Sequence, residues 1–323
     1  MKHEVLSFFE NQEGYVSGEA ISQALGVSRN TVWKAINQLR KDGYRIESST
    51  KNGYRLVFAP DYFAAQQLEQ QLTTRWMGRQ LRILDQVDST NEEVKRLAQR
   101  GAEHGLAVLA ETQTKGKGRL GRGWVGDKLT GIWLSVLLRP KLAPREIGPI
   151  TLVVGLAVCK TIRAVAGCDA LLKWPNDVVI GRKKVCGILS EMQAEMDRVD
   201  YVVVGIGINV NTHAFPPELA HKATSLCLET GKEFARSELV CRLLLELEQA
   251  YDSFEQHGFD ARLLQEYTAV CASLHRPVTV QRGGKTLSGE AVGVNEEGEL
   301  LVKDAQGKIL VVSSGEVTVQ GIY

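Results

Sequence analysis

The stretch from 112 to 126, TQTKGKGRLGRGWVG, constrains the fold of this chain more than any other feature. It is rich in glycine, which destabilises the interior of both helices and strands. The segments on either side, LAVLAE and GIWLSVLLRP, are apolar enough to be buried strands. We therefore expect a loop that joins two strands, with glycines at positions 116, 118, 121, 123 and 126.

Four cations alternate with these glycines, and no acid occurs before Asp127; they are Lys115, Lys117, Arg119 and Arg122. Glycine lets the backbone approach a phosphate closely, and lysine and arginine neutralise its charge. A simple linker needs no such set of cations. The loop is therefore predicted to be a mobile phosphate clamp.

The run Gly116-x-Gly118-x-x-Gly121 also matches the dinucleotide-binding fingerprint in form. That fingerprint requires a helix after the glycines and an acid about 20 residues further on. Here a strand follows, and the acid is missing. The sequence therefore does not predict a Rossmann-type nucleotide site.

A chain of 323 residues is expected to form two or three domains. No run of about 18 apolar residues occurs, so we expect no membrane span. The N-terminal segment contains acids and lacks a small-residue cleavage site, which argues against a signal peptide. Six cysteines without a CxxC pair make a zinc site or a disulfide framework improbable and favour a cytoplasmic protein.

The first 62 residues are predicted to form a winged helix-turn-helix. Two short amphipathic helices, in SGEAISQALG and SRNTVWKAINQLRKDG, are separated by a turn at Gly26, and Ser28 is a suitable N-cap for the second. Two alternating strands follow around Lys51-Asn52-Gly53, and Asn-Gly is a strong hairpin signal.

The charge of this module points to nucleic acid. Residues 28–55 contain seven lysines and arginines against Asp42 and Glu47, a net charge of +5, whereas the whole chain nets +1. The N-terminal part of a second helix is where this motif meets base edges and phosphates. The predicted DNA-binding residues are Gly18, Ser28, Arg29, Asn30, Thr31, Lys34, Lys51 and Asn52. The alternative is a helical protein-interaction module with a solvated basic face.

The central part, residues 63–274, alternates helices and strands and is predicted to form a mixed sheet. Ser89 and Glu92 have the spacing of a capping box at a helix start, which either has no further role or offers donors to a polar ligand. KWPND at 173–177, Lys184 and GIGINVN at 205–211 place amides, cations and a carboxylate at strand ends. A helix over 145–167 separates these strands from the loop. Sheet ends of this kind often carry ligand sites.

The C-terminal part, residues 275–323, contains five short alternating stretches separated by turn signals. We expect a small SH3-like β-barrel. The predicted fold class of the whole chain is therefore α/β (α+β), with a winged helix, a mixed-sheet domain and a barrel.

Several of these segments together resemble one family. SerThrAsn at 89–91, KGKGRLGRGW at 115–124, KWPND, KKVCGIL at 183–189 and GIGINVN occur in this order and spacing in biotin–protein ligases. The resemblance extends over the whole chain. An N-terminal winged helix is typical of the bifunctional class, which is ligase and biotin-operon repressor in one.

The resemblance implies a two-step reaction with biotin and ATP. Biotin and ATP give biotinyl-5′-AMP, and a lysine of a biotin carboxyl carrier protein then accepts the biotin. The carrier is an acetyl-CoA carboxylase subunit or a pyruvate carboxylase domain. Operator DNA and a second copy of the chain, in a homodimer, are the other implied partners. Because an anion attacks an anion, the site must cancel charge first.

The resemblance also assigns roles residue by residue. It implies Arg119 and Lys184 as catalytic residues, and Asp177 as a Mg²⁺ partner. Lys117 stands where arginine is frequent in the family. The implied ATP contacts are Arg122, Trp124 and Asn209. The implied biotin contacts are Ser89, Thr90, Asn91, Gln113, Lys117, Gly118, Arg119, Lys184 and Gly187.

Two other functions remain open. A lipoate-type acyl-protein ligase shares the catalytic architecture but typically lacks a winged helix. A repressor that senses a ligand without chemistry would have little need for the four cations of the loop or for Lys184.

Overall fold

The computed structural model describes residues 1–323 except 11–13, 42, 50, 59, 125, 127 and 283–284. The chain divides into two compact units, Met1–Tyr62 and Phe63–Tyr323. Thr50, Asp42 and Asp127 thus lie outside the described residues, as do two glycines of the C-terminal part.

The first unit has the predicted winged helix-turn-helix. Its elements in chain order are α1 (Lys2–Glu10), α2 (Gly18–Leu25), α3 (Arg29–Lys41), β1 (Arg45–Ser49) and β2 (Gly53–Phe58). Gly26 ends α2 with a φ of 65°, and Ser28 Oγ accepts a hydrogen bond from Thr31 N at the start of α3. The core contains residues at most 1% exposed: Val5, Ile21, Val32, Ile36 and Leu39.

The wing differs in detail from a two-residue Asn-Gly turn. Ser49 pairs with Gly53, so Gly53 belongs to β2, with a φ of 95°. A Cβ on Gly53 would lie 2.2 Å from Val16 O, because Tyr54 and Val16 form a bridge there. Glycine is therefore required by packing on the segment before α2 as well as by the turn.

The second unit is built on a seven-stranded mixed sheet. Its strands are β3 (Leu81–Leu84), β4 (Ala107–Ala110), β5 (Gly131–Leu138), β6 (Ala170–Lys173), β7 (Asp177–Ile180), β8 (Lys183–Glu195) and β9 (Arg198–Asn209). Their order is β3-β4-β5-β9-β8-β7-β6, and only β3 and β4 pair in parallel. The predicted mixed sheet is confirmed.

Helices cover the two faces of this sheet unequally. They are α4 (Ala65–Gln71), α5 (Thr90–Gln99), α6 (Ile150–Ala166), α7 (Pro217–Ala220), α8 (Leu226–Thr230), α9 (Arg236–His257) and α10 (Ala261–Val270). α6 and α9 bury one face with the main core, and α5 packs on the other with a smaller cluster around Val94 and Val203. Strand residues alternate between these faces.

The predicted helix over 145–167 begins later, at Ile150, after a 3₁₀ turn at Pro144–Glu146. The stretch Pro144–Ala166 is long and apolar enough to cross a membrane by length and composition, and 67% of its most apolar window is buried inside the fold. It is the central core helix of this unit, which accounts for its composition.

The C-terminal part has the five predicted strands. They are β10 (Pro277–Arg282), β11 (Lys285–Val294), β12 (Leu300–Lys303), β13 (Ile309–Val312) and β14 (Glu316–Val319), in the order β13-β12-β11-β10-β14 with antiparallel pairing. Trp174 Nε1 donates to Gly298 O at 3.0 Å, which ties this sheet to the turn after β6.

Candidate active site

The α5 face of the sheet carries a floor of glycines. Gly187 of β8 pairs with Gly207 of β9, and Gly205 lies two residues before Gly207 on the same face. A Cβ on Gly205 would lie 2.2 Å from Asn91 Oδ1, and one on Gly207 would lie 2.8 Å from the ring of Trp124. The missing side chains therefore open a cleft between the sheet and α5.

Trp124 covers this floor from the loop between β4 and β5. Cβ atoms on Gly187 and Gly207 would both meet its ring. Its Nε1 is buried and has no hydrogen-bond partner among the described residues. An indole of this kind offers a flat apolar wall with one donor to spare.

Polar side chains gather at the α5 end of the cleft. Gln113 Oε1 accepts hydrogen bonds from Thr90 N at 2.8 Å and Thr90 Oγ1 at 3.1 Å. Ser135 Oγ lies 2.7 Å from Thr90 Oγ1 and 2.6 Å from Asn91 Oδ1. These buried groups can read a polar ring that has both donors and acceptors.

Ser89 is the N-cap of α5 by position, but the predicted capping box is wrong. Its side chain makes no cap hydrogen bond. Glu92 instead accepts from Lys117 at 2.8 Å and Lys95 at 3.0 Å, which lower the pKa of its carboxyl group. Two lysines outcompete a backbone N–H for the carboxylate, and the Ser89 hydroxyl is left facing the cleft.

Cations gather at the opposite end, beside the turn between β6 and β7. Lys184 Nζ lies 2.5 Å from Asp177 Oδ1 and 5.0 Å from the centre of the Trp124 ring. Lys173 is 7% exposed, and its Nζ lies 3.8 Å from the centre of the Tyr323 ring. Burial lowers the pKa of Lys173 to about 8, although Asp177 opposes the shift.

The two arginines of the glycine-rich loop reach the C-terminal sheet. Arg119 donates to Asn176 Oδ1 at 2.9 Å and to Gly315 O at 3.0 Å, and its burial lowers its pKa. Arg122 pairs with Glu316. The loop itself folds back, since Gly118 N donates to Arg122 O at 2.7 Å. It therefore closes one side of the cleft.

The resulting cleft lies between the sheet, the start of α5 and the glycine-rich loop. It brings together ten residues that the sequence predicted for biotin or ATP: Ser89, Thr90, Asn91, Gln113, Lys117, Gly118, Arg119, Trp124, Lys184 and Gly187. These come from three segments of the chain: the start of α5, the loop between β4 and β5, and β8.

Three predicted residues do not line it. Asn209 is 4% exposed, and its Nδ2 donates to Thr224 O at 3.0 Å. Arg122 points to Glu316. Asp177 is not a lining residue itself, but it pairs with Lys184, which is.

Sequence reasoning missed several lining residues. Asn176 holds Arg119 and donates to Ile188 O at 3.1 Å, and Gly205 and Gly207 make the floor. KWPND contains Asn176, and GIGINVN contains Gly205 and Gly207. Both motifs were therefore predicted to carry ligand groups, but no role was assigned to these individual residues. Ser135 does not line the cleft but contacts Thr90 and Asn91 from inside an apolar strand, and it carried no sequence signal.

The surroundings of Asp177 show how Mg²⁺ could fit. No group of three or more metal-ligand side chains occurs in the part of the chain that the structure describes. Asp177 Oδ1 is buried and accepts no hydrogen bond from described residues, but Lys184 stands beside it. One carboxylate fits a Mg²⁺ that is carried by nucleotide phosphates, not a resident metal centre.

Most of the predicted DNA-binding residues lie on the surface of the first unit. Arg29, Asn30 and Lys34 are exposed along α3, and Lys51 and Asn52 are exposed at the wing. Thr31 is partly buried, and its hydroxyl contacts Ser28 Oγ at 2.8 Å at the start of α3. Gly18 is packed against Tyr54, where a Cβ would lie 3.1 Å from the ring. Trp33, which the sequence did not single out, is 53% exposed on α3.

Comparison with known proteins agrees with this architecture. A model of the biotin/lipoate A/B protein ligase family matches residues 83–209, a helix-turn-helix (HTH) domain model matches 2–55, and a biotin protein ligase C-terminal domain model matches 274–319. The bifunctional ligase/repressor of Bacillus spizizenii is 40% identical over 296 residues, which are 91% of this chain and 90% of the relative.

The chain belongs to the biotin–protein ligase family. A biotin--[acetyl-CoA-carboxylase] ligase of Mycobacterium tuberculosis is 36% identical over 246 residues, 74% of this chain and 88% of the relative. The structure of the biotin protein ligase from Aquifex aeolicus in complex with biotin and ATP superposes with a TM-score of 0.65 and 33% identity, over 75% of this chain and 99% of that one. The bifunctional relative thus covers a larger share of this chain than these two do.

This ligase has a lysine at position 117, and its structure gives that lysine a defined contact. Lys117 Nζ pairs with Glu92 on α5, at the edge of the cleft. An arginine could bind a phosphate with two parallel hydrogen bonds, whereas lysine acts as a point charge. In this chain residue 117 joins the loop to α5.

Proposed function

We propose that this protein is an ATP-dependent biotin–protein ligase that also represses biotin-biosynthesis genes. The cleft carries the proposal: donors and acceptors lie at one end, an apolar floor in the middle, and Lys184 beside Arg119 at the other end. Biotin has a polar ureido ring, an apolar chain and a carboxylate in the same order.

In the first step, a carboxylate oxygen of biotin attacks the α-phosphorus of ATP. A phosphorus–oxygen bond forms, the bond to the β-phosphate breaks, and pyrophosphate leaves with biotinyl-5′-AMP remaining. Lys184 and Arg119 lower the repulsion between the two anions and stabilise the charge that grows in the transition state. Ser89, Thr90, Asn91 and Gln113 hold the ureido ring, and Gly187 and Gly118 leave room for the ligand.

Nucleotide contacts lie at the cation-rich end. Trp124 supplies a flat surface, Arg122 a phosphate contact and Asn209 an amide for adenine, although Arg122 and Asn209 must leave their present partners to do so. Asp177 is the residue that would hold Mg²⁺, which would supply further charge neutralisation at the ATP phosphates when bound.

In the second step, the ε-amine of a carrier-protein lysine attacks the carbonyl carbon of the mixed anhydride. An amide bond forms, AMP leaves, and the amine loses a proton. The acceptor is a biotin carboxyl carrier protein, either a carboxylase subunit or a domain. Loop closure at Arg119 protects the anhydride from water until the acceptor arrives.

Labelled-biotin transfer to a carrier-domain fragment tests this function directly. The protein should release pyrophosphate with ATP and biotin and then label the carrier lysine. Lipoate in place of biotin should give no release. Equal release with lipoate would favour a lipoate-type ligase, and operator binding without any release would favour a repressor that only senses the ligand.

The DNA-binding half acts on operator DNA through α3 and the wing. We propose a homodimer, formed by edge-strand pairing of the central sheets, because helix-turn-helix proteins usually bind two half-sites. Biotinyl-5′-AMP orders the glycine-rich loop and thereby favours dimerisation, and the carrier protein competes for the same surface. The protein is cytoplasmic in this proposal.

Operator binding and sedimentation, each with and without the adenylate, test the coupling. Operator affinity and mass should both rise with biotin plus ATP, and apo-carrier should lower the affinity. Identical values in both states would leave a ligase with an uncoupled DNA-binding module.

A further inference from the structure

Tyr323 lies against the cation-rich end of the cleft, although it is far from every ligand motif in sequence. It follows β14 and is partly buried. Its backbone N–H donates to Arg182 O at 2.8 Å, in the turn between β7 and β8. Ile322, its neighbour, is 2% exposed in the core, so the position of Tyr323 is well anchored.

The phenol of Tyr323 donates a hydrogen bond to Asp177 Oδ2. The other oxygen of the same carboxylate, Oδ1, lies 2.5 Å from Lys184 Nζ. Asp177 therefore stands between the phenol and the lysine, with one oxygen for each. A phenol carries its proton at neutral pH and can donate it to this carboxylate.

These contacts affect how much of the charge of Lys184 is available to the substrate anions. A carboxylate paired with Lys184 orients the ammonium but also competes with the substrate anions for its charge. A carboxylate that also accepts a hydrogen bond from a phenol has part of its negative charge drawn to that phenol, and its plane cannot rotate freely. Lys184 is thereby held in place while its other N–H groups stay available to the cleft.

The ring of Tyr323 also contacts a second cation at this end of the cleft, Lys173. Its ring lies under Lys173 Nζ at 3.8 Å, and Lys173 pairs across the turn with Asp177 in the strand register. The ring face is a weak partner for an ammonium group. Lys173 therefore has a partner other than the Asp177 carboxylate.

We propose that Tyr323 is a positioning residue for adenylation, which acts through Asp177 on Lys184. The inference rests on the proposed ligase function and deepens it. Tyr323 does not touch the substrates in this assignment. The C-terminal part thus contributes a third contact to the site, beside those of Gly315 and Glu316 with the loop arginines.

Tyr323→Phe tests the proposal, because it keeps the ring over Lys173 and removes only the hydroxyl. The kcat for biotin-dependent pyrophosphate release should fall about tenfold, the scale of a lost hydrogen bond to a charged group. KM for biotin should stay within about twofold, since the ureido contacts are at the other end of the cleft. Transfer from added biotinyl-5′-AMP to the carrier should also stay within about twofold, because the phosphate chemistry is then complete.

A double-mutant cycle with Asp177→Ala separates positioning from general loosening of the fold. If Tyr323 acts through Asp177, Tyr323→Phe has less than about a twofold effect on kcat in the Asp177→Ala background. Gln320→Ala, an exposed change on the same terminal segment, is the control and should match the unmodified protein. Thermal unfolding of each variant reports whether it is folded.

Two results would overturn the proposal: an unchanged kcat in Tyr323→Phe, or the same tenfold loss with and without Asp177. A parallel rise in KM and loss of thermal stability would assign Tyr323 a merely structural role. Failure of the unmodified protein to release pyrophosphate with biotin and ATP would be a different result, since it would refute the ligase function itself.

Discussion

At the scale of single residues, the absence of a side chain matters as much as its presence. The floor of the cleft exists because Gly187, Gly205 and Gly207 lie on one face of two neighbouring strands. Trp124 and Asn91 occupy the space that Cβ atoms would otherwise fill. The ligand site is thus a consequence of three positions where strand-forming residues would be preferred by propensity alone.

Gly205→Ala should abolish biotin binding and destabilise the fold by about 1–3 kcal/mol, as overpacking does. The new methyl group would lie 2.2 Å from Asn91 Oδ1, and Asn91 cannot move because its Nδ2 donates to Glu191 at 2.8 Å. Biotin calorimetry and denaturant unfolding measure the two effects. Gly123→Ala has open space around it and should bind biotin normally; normal binding by Gly205→Ala would disprove the role of the floor.

Lys184→Ala should slow adenylate formation by about a hundredfold or more, the usual cost of removing one charge-stabilising donor. The carboxylate of Asp177 would then face the substrate anions without its cation. Pyrophosphate release in a single turnover measures the rate. Lys183→Ala is the matched control, because Lys183 Nζ bonds Ala220 O away from the cleft. A near-normal rate in Lys184→Ala would remove this lysine from the mechanism.

Lys173 should make stability depend on pH in an unusual direction. Its pKa is about 8 in the folded protein and about 10.4 in an unfolded chain, so between these values the unfolded chain binds more protons. The contribution of Lys173 to the free energy of unfolding therefore rises with pH from 8 to about 10.4 and is lowest below 8.

Denaturant unfolding of Lys173→Met against the unmodified protein isolates this contribution. The stability difference should shift in favour of the unmodified protein by about 2–3 kcal/mol as pH rises from 7 to about 10. Lys160→Met, on the exposed side of α6, is the control and should show no such shift. A pH-independent difference for Lys173→Met would mean that Lys173 is charged throughout.

At the scale of elements, the glycine-rich loop and the C-terminal sheet form one structure. Arg119 bonds to the turn before β14, Arg122 bonds to the first residue of β14, and Lys117 bonds to α5. These contacts come at a cost, since each ordered loop residue loses about 1–2 kcal/mol of conformational entropy. The loop is therefore held by a few charged contacts at its two sides, which a ligand can reinforce.

Arg119→Gly should release these restraints and let the adenylate escape before transfer. Loss of the bonds to Asn176 and Gly315 opens the cleft, so free biotinyl-5′-AMP should label lysines of a bystander protein such as albumin. Mass spectrometry of the bystander measures the leakage. Leu120→Gly adds a glycine at an exposed position with φ 56° and keeps both arginine bonds, so it should not leak. Labelling confined to the carrier in Arg119→Gly would disprove the clamp.

At the scale of the whole molecule, each of the two units contains the sequence features that predicted one of the two activities. The basic helix and wing lie in Met1–Tyr62, and every residue that lines the cleft lies in Phe63–Tyr323. Phe63 N donates to the buried Glu111, so the second unit is already tied into its own core at its first residue.

Deletion of Met1–Tyr62 should abolish operator binding. The rate of biotin transfer should stay within about threefold of that of the full chain, a smaller change than the loss of a single hydrogen bond would cause. Gel shift and labelled-biotin transfer measure the two activities. The full-length variant Arg29→Ala/Lys34→Ala is the control; it should transfer biotin normally while its operator binding weakens and becomes less sensitive to salt. A folded truncated protein that still shifts operator DNA would place the nucleic-acid site in the second unit.

Much of the fold follows from short-range signals. The turn at Gly26, the N-cap Ser28, the wing and the five C-terminal strands all came from patterns within a few residues, and all are present. Helix and strand periods and turn chemistry act over such distances, so a single sequence is enough to read them. The capping box at Ser89 failed for the opposite reason. Its glutamate, Glu92, accepts a hydrogen bond from Lys117, which lies 25 residues further along the chain.

Which residues form the site depends on contacts between segments that are distant in the sequence. Strand register decides that Gly187 faces Gly207 and that Ser135 lies beside Thr90, and register is set by the whole sheet. The position of Tyr323 on Asp177, 146 residues apart, follows from how the C-terminal sheet packs on the turn after β6. Ligand motifs can therefore be read from sequence because their chemistry is local, whereas the residues that orient them are chosen by packing between distant segments.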